Sequence, residues 1–165
     1  MSDAGGVAVR PARAADAPLI YDFIRQLAEY EQLLHAVEAS QADITGALFG
    51  DQQRCWCDIA ELDGRAIGFS LWFYSFSTFR GRAGIYVEDL FVVPEARGKG
   101  AGRALLAALA RRCAAEDLGR LEWAVLDWNA PAVGFYDGLG ALTMDDWTVR
   151  RLTGAALQAL AGAQG

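Results

Sequence analysis

The chain has 165 residues and a mass of 17.8 kDa, with 53% hydrophobic and 22% charged residues. These values predict one domain over residues 1–165, with residues 1–6 as a flexible tail, and they exclude disorder as the working state. The 15 Lys and Arg residues against 21 Asp and Glu give a net charge of −6. That balance argues against a nucleic-acid partner and favours a cationic one.

His35 is the only histidine in the sequence. A histidine-based zinc site therefore lacks the histidines that it requires, and a Ser-His-Asp triad is not well supported. The three cysteines are an odd number in a chain that shows no apolar leader, which predicts a reducing, cytoplasmic setting. No apolar run approaches the ~20 residues that a membrane span requires. We therefore expect no metal and no membrane contact.

The N-terminal part of the chain predicts one strand and two helices. Residues 7–12 form a short strand, and Asp16 caps a helix whose apolar residues recur at helical spacing. Ser40 and Asp43 resemble a capping box for a shorter helix, which Gly50 ends.

The middle of the chain predicts antiparallel strands. Residues 54–62 and 66–76 flank Asp63-Gly64, a dipeptide typical of hairpin turns. Residues 85–93 form a third strand after the following loop. The centre of the sheet is therefore expected to be antiparallel.

Helices and strands alternate in the second half. A helix over residues 100–117 precedes a strand over 120–126, and Asn129 caps the next helix. Residues 147–152 form a last strand, and a helix over 153–161 follows. This order predicts one α/β domain, with a mixed central sheet of about six to seven strands flanked by helices.

A glycine-rich turn, Arg97-Gly98-Lys99-Gly100-Ala101-Gly102, joins the third strand to the following helix. Free backbone N–H groups and the helix dipole favour an anion such as a pyrophosphate at such a junction. Gly100 stands where a Walker loop requires Ser or Thr, and Arg103 stands where a dinucleotide fingerprint requires Gly. A turn without a ligand remains the alternative.

This turn resembles the signature of the GNAT superfamily of acetyl-CoA-dependent N-acetyltransferases. That signature reads Arg or Gln, two residues, Gly, one residue, then Gly or Ala, and Arg97, Gly100 and Gly102 match it in register. Residues 85–92 and 125–141 resemble the diamine acetyltransferase branch, which includes spermidine/spermine and thialysine acetyltransferases. The resemblance covers most of the chain and implies a GNAT-like fold, with the cofactor in the cleft between two diverging strands.

The resemblance also implies a site for acetyl-CoA along the turn and the strand before it. Exposed main chain at Leu90 and Val92 would pair with the pantetheine arm, and Asn129 would contact the cofactor as well as cap its helix. The implied cofactor-binding residues are Leu90, Phe91, Val92, Arg97, Gly98, Lys99, Gly100, Ala101, Gly102, Arg103 and Asn129.

Acyl transfer to an amine needs a base, because a primary amine with a pKa near ~10.4 is protonated at neutral pH. Glu88 is the candidate, since a carboxylate within an apolar strand is partly desolvated. Asp89 then lies on the opposite face, unless a bulge alters the alternation. The resemblance implies that Glu88 activates the amine through water and that Tyr136 protonates the departing thiolate. A structural ion pair for Glu88 and a core role for Tyr136 are the alternatives.

Carboxylates and aromatic faces would hold a cationic amine, and the candidates are Glu31, Trp72, Asp89, Asp145 and Trp147. Surface charge or core packing is the alternative for each of them. Polyamine-preferring members often carry an Asp and a Trp in a loop where this chain has Ser77-Thr78-Phe79. The loop is more similar to the branch that acts on thialysine and other short amines.

We therefore expect an N-acetyltransferase that passes acetyl from acetyl-CoA to a primary amine of a small cationic molecule, such as a diamine, a polyamine or a thialysine-like compound. Direct attack in a ternary complex is expected, because Cys113 lies on an apolar helix stripe and is a poor nucleophile. Acetylation of a protein or peptide amine and a non-catalytic acyl-CoA-binding sensor are the alternatives. The resemblance also implies a homodimer whose C-terminal strand region packs against the partner.

Overall fold

Pairing between successive strands builds one mixed sheet in chain order. The computed structural model describes residues 6–163, and its strands are β1 Ala8–Pro11, β2 Trp56–Leu62, β3 Arg65–Ser77, β4 Arg82–Val92 and β5 Leu121–Trp123. Neighbours from β1 to β4 are antiparallel, and β5 joins β4 in parallel. The predicted α/β class is confirmed, with five strands among the described residues in place of six to seven.

The helices are α1 Ala17–Tyr30, α2 Gln41–Phe49, α3 Ala101–Ala115, α4 Ala130–Asp137 and α5 Gly154–Gly162. The chain forms two compact units, Met1–Leu126 with the sheet and α1 to α3, and Asp127–Gly165 with α4 and α5. Residues 1–5 of the predicted flexible tail lie outside the described residues. Within 6–163, no helix has both the length and the apolar character that crossing a membrane requires.

Most of the turns and helix caps that short sequence patterns predict are present in the structure. The hairpin between β2 and β3 turns at Asp63 and Gly64, with φ angles of 51° and 73°. Glycine adopts this left-handed region without the cost that a Cβ imposes. The capping box of Ser40 and Asp43 is confirmed, and so is the Asn129 cap, whose side chain accepts from the Ala132 N–H.

Asp16 occupies the predicted N-cap position of α1, but its side chain makes no capping hydrogen bond. Its carboxylate accepts from the backbone N–H of Arg13 at 2.7 Å and pairs with the Arg10 guanidinium at 2.7 Å, so it does not cap α1. The Arg10 guanidinium holds the pKa of Asp16 below its usual range, and a second bond joins Arg10 to Glu61 on β2. The carboxylate therefore ties β1 to the segment before α1.

Helices cover both faces of the sheet. Phe23 of α1 lies 5.8 Å, centroid to centroid, from both Phe69 and Phe91, which places α1 over their face. On the other face, the Arg112 guanidinium of α3 lies 4.9 Å from the centroid of the Trp72 ring. We call these the α1 face and the α3 face of the sheet.

The α3 face buries a hydrogen bond between Asp58 and Trp72. The indole Nε1–H of Trp72 donates to Oδ2 of Asp58 at 2.9 Å, and both residues are buried. Burial raises the pKa of Asp58, while the bond from Trp72 opposes that rise. Trp72 is therefore a core side chain that satisfies a buried carboxylate.

The strand predicted over residues 147–152 does not form. This stretch has no regular structure and pairs with no strand among the described residues. A strand needs a neighbour that satisfies its N–H and C=O groups, and alternation of apolar side chains cannot supply one. Trp147 is 75% exposed and Val149 is 84% exposed.

Candidate active site

A β-bulge interrupts the pairing of β3 with β4. Leu71 pairs with Asp89, and the next residue, Trp72, pairs with Val87, so Glu88 has no partner on β3. In a regular strand Val87 and Asp89 would share a face, but the extra residue puts them on opposite faces. Glu88 itself is exposed, and the expectation that it is desolvated is wrong.

Asp89 is the carboxylate that this strand partly buries. It lies on the α1 face, in the cross-strand row that contains Leu71 and Cys57. Burial raises the pKa of Asp89 to about 7, and the negative charges of Glu88 and Glu31 act in the same direction. Within residues 6–163, no hydrogen bond or ion pair engages its carboxylate.

Arg97 fastens the end of α1 to the loop that follows β4. Its guanidinium carbon lies 4.7 Å from the centroid of the Tyr30 ring and 5.9 Å from that of Phe91. Its Nε donates to the Val92 carbonyl oxygen at 3.1 Å. Glu31 follows Tyr30 directly, so these contacts of Arg97 keep the Glu31 carboxylate near β4. Burial raises the pKa of Glu31.

β4 has an open edge from the bulge onward. Its parallel ladder with β5 ends at the pair of Val87 and Trp123, whereas β4 continues to Val92. Among the described residues, 88–92 pair with no strand on the β5 side. The main chain of Leu90 and its neighbours is therefore available to an extended ligand with amide groups, because such a ligand can pair like a strand.

The turn after β4 opens α3 with unsatisfied backbone donors. Gly98 and Gly100 have φ angles of +76° and +86°, a region that disfavours side chains with a Cβ. No side chain caps α3, and the N–H groups of residues 101–103 have no acceptor in the part of the chain that the structure describes. Such a helix start favours an anion.

The first unit brings most of the predicted site residues into one region. Glu31, Glu88 and Asp89 interact electrostatically at the end of α1 and the bulge of β4. The turn follows β4 directly, and Lys99 and Arg103 are exposed there. Trp72 is not part of this region: it is 2% exposed and lies on the α3 face, so its prediction as an amine-binding residue is not supported.

The second unit holds the remaining predicted residues. Asn129 is buried, and Tyr136 is half-buried on α4 with its ring centroid 5.3 Å from that of Phe135. Asp145 and Trp147 are exposed in the irregular stretch after α4. Their roles toward a substrate or a cofactor stay predictions.

Sequence reasoning missed the contact between Arg97 and Tyr30. It assigned Arg97 to the cofactor through the motif and gave Tyr30 no role. Stacking of a guanidinium on an aromatic ring distant in sequence leaves no local pattern, although both residue types are frequent in such pairs. Arg97 thus contacts Tyr30 and Val92, and its role toward a cofactor stays a prediction.

The chain matches known proteins over nearly its whole length. The model of the Acetyltransferase (GNAT) family matches residues 19–141. Thialysine N-epsilon-acetyltransferase of Bos taurus is 35% identical, over 94% of this chain and 98% of that protein. L-ornithine N5-acetyltransferase of Arabidopsis thaliana is 29% identical, over 92% of this chain and 86% of that protein. An integron cassette protein of V. cholerae superposes with a TM-score of 0.79 and 26% identity, covering 96% of this chain and 99% of that one.

The raised pKa of Asp89 makes the free energy of unfolding depend on pH. The carboxyl binds its proton more tightly in the folded chain, so its ionisation destabilises the fold as pH rises from about 4 through about 7. We expect Asp89→Asn to be more stable than the parent by about 1 to 4 kcal/mol at pH 8, because each pKa unit corresponds to about 1.4 kcal/mol. The gap should close by pH 4, as measured by urea unfolding.

The same chemical change at the exposed Asp51 is the control. Asp51→Asn should stay within about 0.5 kcal/mol of the parent at every pH, as exposed substitutions usually do. A stability gap at Asp89 that is constant from pH 4 to pH 8 would contradict the burial of an ionisable group there.

Proposed function

Because the chain belongs to the GNAT acetyltransferase family, we propose that it transfers an acetyl group from acetyl-CoA to a primary amine of a small cationic molecule. The observation that carries this proposal is that three features follow one another along the chain, from β4 to the start of α3. A bulge with two carboxylates comes first, an open strand edge follows, and a helix start with free N–H groups ends the series. These features suit an amine, a pantetheine arm and a pyrophosphate in that order.

The turn and the edge of β4 have the donors that acetyl-CoA needs. The N–H groups of residues 101–103 would bind the pyrophosphate, with Gly98 and Gly100 allowing its close approach. Lys99 and Arg103 add positive charge. The main chain of residues 90–92 would hold the pantetheine arm. When bound, the cofactor supplies the thioester carbonyl that the amine attacks.

Two variants at Gly100 separate charge from backbone strain in cofactor binding. Asp and Asn have nearly the same size, and both tolerate the left-handed region better than most residues. Open space surrounds the position where a Cβ would stand, so both variants should fold. Gly100→Asp places a carboxylate at the proposed pyrophosphate site and should bind acetyl-CoA at least about tenfold more weakly than Gly100→Asn. Isothermal titration calorimetry measures both, and equal affinities would contradict the assigned anion site.

A small cation is the acceptor that best fits the carboxylates at the end of α1 and the bulge of β4. Glu31, Glu88 and Asp89 together carry negative charge toward the open edge of β4. The similar proteins of Bos taurus and Arabidopsis thaliana are named for thialysine and L-ornithine, both short molecules with a primary amine. We infer that the acceptor is a short diamine or amino acid of this kind, in preference to a long polyamine.

Direct attack of the amine on the thioester is supported by the state of the cysteines. Cys55, Cys57 and Cys113 are free thiols, and burial raises the pKa of all three. A thiol with a raised pKa is a poor nucleophile, because the thiolate is the reactive form. Acetyl transfer through a covalent acetyl-cysteine is therefore disfavoured. Three free thiols also fit the proposed cytoplasmic setting.

Tyr136 and Asn129 lie in the second unit, and the family resemblance implies a role for each of them. The phenol of Tyr136 would protonate the CoA sulfur as the C–S bond breaks, so that CoA leaves as the neutral thiol, a better leaving group than the thiolate. Asn129 starts α4 as its cap and would contact the cofactor arm. Both roles come from the family resemblance and are proposals for this chain.

An amine panel tests the function directly. At equal concentrations of thialysine, L-ornithine, spermidine and a lysine-containing peptide, we expect kcat/KM to be highest for the two short amines. Their advantage over the peptide should be about tenfold or more, because the carboxylates Glu31, Glu88 and Asp89 would select small cations. Release of the CoA thiol gives the rate, and mass spectrometry identifies the product.

Three results would overturn this proposal or its route in different ways. A tenfold preference for the peptide would assign the chain to protein amine acetylation. Binding of acetyl-CoA without thiol release with any amine would indicate an acyl-CoA-binding sensor. An acetylated cysteine formed without amine would replace direct attack by a covalent route.

A homodimer is the proposed assembly. Several large apolar side chains of the second unit are exposed: Leu142, Met144, Trp147, Val149 and Leu152. Exposed apolar side chains in such number favour a protein partner, and the strand predicted over residues 147–152 would gain its missing hydrogen-bond partners from a second copy. Asp145 and Trp147 would then border the amine site across the interface.

Sedimentation equilibrium at micromolar concentration tests this assembly. We expect a species of twice 17.8 kDa. Trp147→Ser should shift it toward the monomer, because it removes a large apolar contact from the interface. A parent chain that sediments at 17.8 kDa would contradict the shared site.

A further inference from the structure

The bulge in β4 bears on which carboxylate takes the proton from the amine. We propose that Asp89 accepts the ammonium proton and that Glu88 and Glu31 attract the ammonium group to it. This inference rests on the proposed function, because it assigns a residue within the same site.

The first argument is the position of the two carboxylates. The bulge leaves Glu88 exposed and turns Asp89 onto the α1 face, beside the buried Leu71. Phe91, two residues further on, shares this face and contacts α1. Bulk water solvates Glu88, whereas apolar neighbours partly shield Asp89. Shielding of this kind is what makes a carboxylate an effective base for an ammonium group near neutral pH.

The second argument is that Asp89 is free to react. Asp16 binds Arg10, and the buried Asp58 accepts from Trp72, whereas the carboxylate of the partly buried Glu31 resembles that of Asp89 in having no hydrogen bond or ion pair among the described residues. No hydrogen bond or ion pair occupies Asp89 among the residues that the structure describes. A carboxylate that stabilises the fold is normally satisfied, so Asp89 and Glu31 are the ones available to a substrate, and of these Asp89 lies at the bulge of β4.

The third argument is the charge around Asp89. The titratable groups near it are Glu88 on β4, Glu31 after α1 and the thiol of Cys57 on β2. Burial and the two carboxylates raise the pKa of Asp89 to about 7. A base with this pKa is half ionised at neutral pH and takes up a proton more readily than an ordinary carboxylate. The same negative charges favour the approach of an ammonium ion.

The step balances without any further reactant. One N–H bond of the ammonium group breaks, its proton joins an Asp89 oxygen, and the electron pair stays on nitrogen. That pair forms the N–C bond with the thioester carbonyl, and the C–S bond breaks toward sulfur. Tyr136 gives its phenol proton to the CoA sulfur. The nitrogen then loses its second proton to Tyr136, which restores the phenol. Asp89 then releases its proton to solvent.

The pH dependence of kcat/KM tests the assignment, because it reports the ionisation of the free enzyme. The parent, Asp89→Asn, Glu88→Gln and Glu31→Gln would be assayed from pH 5.5 to 9.5 with two accepted amines of different pKa. We expect kcat/KM of the parent to rise with an apparent pKa near the value of about 7 for Asp89, and at the same pH for both amines. A rise that follows the pKa of the amine would overturn the proposal.

The variants distinguish the two carboxylates of the bulge. Asp89→Asn should lower kcat/KM by about 100-fold or more and remove the rise near pH 7, because general-base catalysis contributes on this order. Glu88→Gln and Glu31→Gln should keep that rise and move it to lower pH, since each removes a negative charge beside Asp89. If Glu88→Gln removed the rise while Asp89→Asn kept it, Glu88 would be the base.

A readout without turnover completes the test. Carbon-13 NMR of the carboxyl groups in the full chain should contain one carboxyl that titrates near pH 7 in the parent and is missing in Asp89→Asn. Absence of that signal would overturn the proposal even if the amines are acetylated. A parent chain that titrates as expected but acetylates no amine would overturn the proposed function, and with it the role of Asp89.

Discussion

One unpaired position in the ladder between β3 and β4 determines how the rest of the first unit is arranged. Before Glu88, Val87 packs with Trp72 toward α3. After it, Asp89 and Phe91 face α1. Since the side chains of a strand alternate with a period of two, a ladder without this insertion would turn one of the two segments to the wrong face. The bulge therefore allows both sides of β4 to be buried correctly.

The bulge also explains why an acidic residue lies against an apolar face. A partly buried carboxylate without a donor destabilises the fold, and a stable protein would replace it or satisfy it, as Trp72 does for Asp58. Asp89 keeps this unfavourable state next to the open edge of β4. Perturbed groups of this kind concentrate at catalytic sites, where reactivity outweighs stability.

Local sequence patterns were sufficient for features that depend on neighbouring residues. The hairpin at Asp63 and Gly64, the capping box at Ser40 and the start of α3 after Gly100 each follow from backbone preferences within a few positions. The family resemblance located Glu88 and Asp89 together as site residues. It could not decide which of them is buried, because that depends on the register of two strands.

Features that require distant partners could not be predicted in this way. The apolar residues over 147–152 have the composition of a strand, yet a strand exists only where another one pairs with it. Likewise, the signature predicts a ligand contact for Arg97 but says nothing of its stacking on Tyr30. In both cases tertiary contacts decided what the local pattern left open.

The stacking of Arg97 on Tyr30 has a mechanical consequence for the first unit. Because the same side chain also bonds the Val92 carbonyl, the end of α1 cannot shift without straining the segment that carries the glycine turn. One side chain therefore fixes the distance between the segment that carries Glu31 and the segment that leads into the glycine turn and α3.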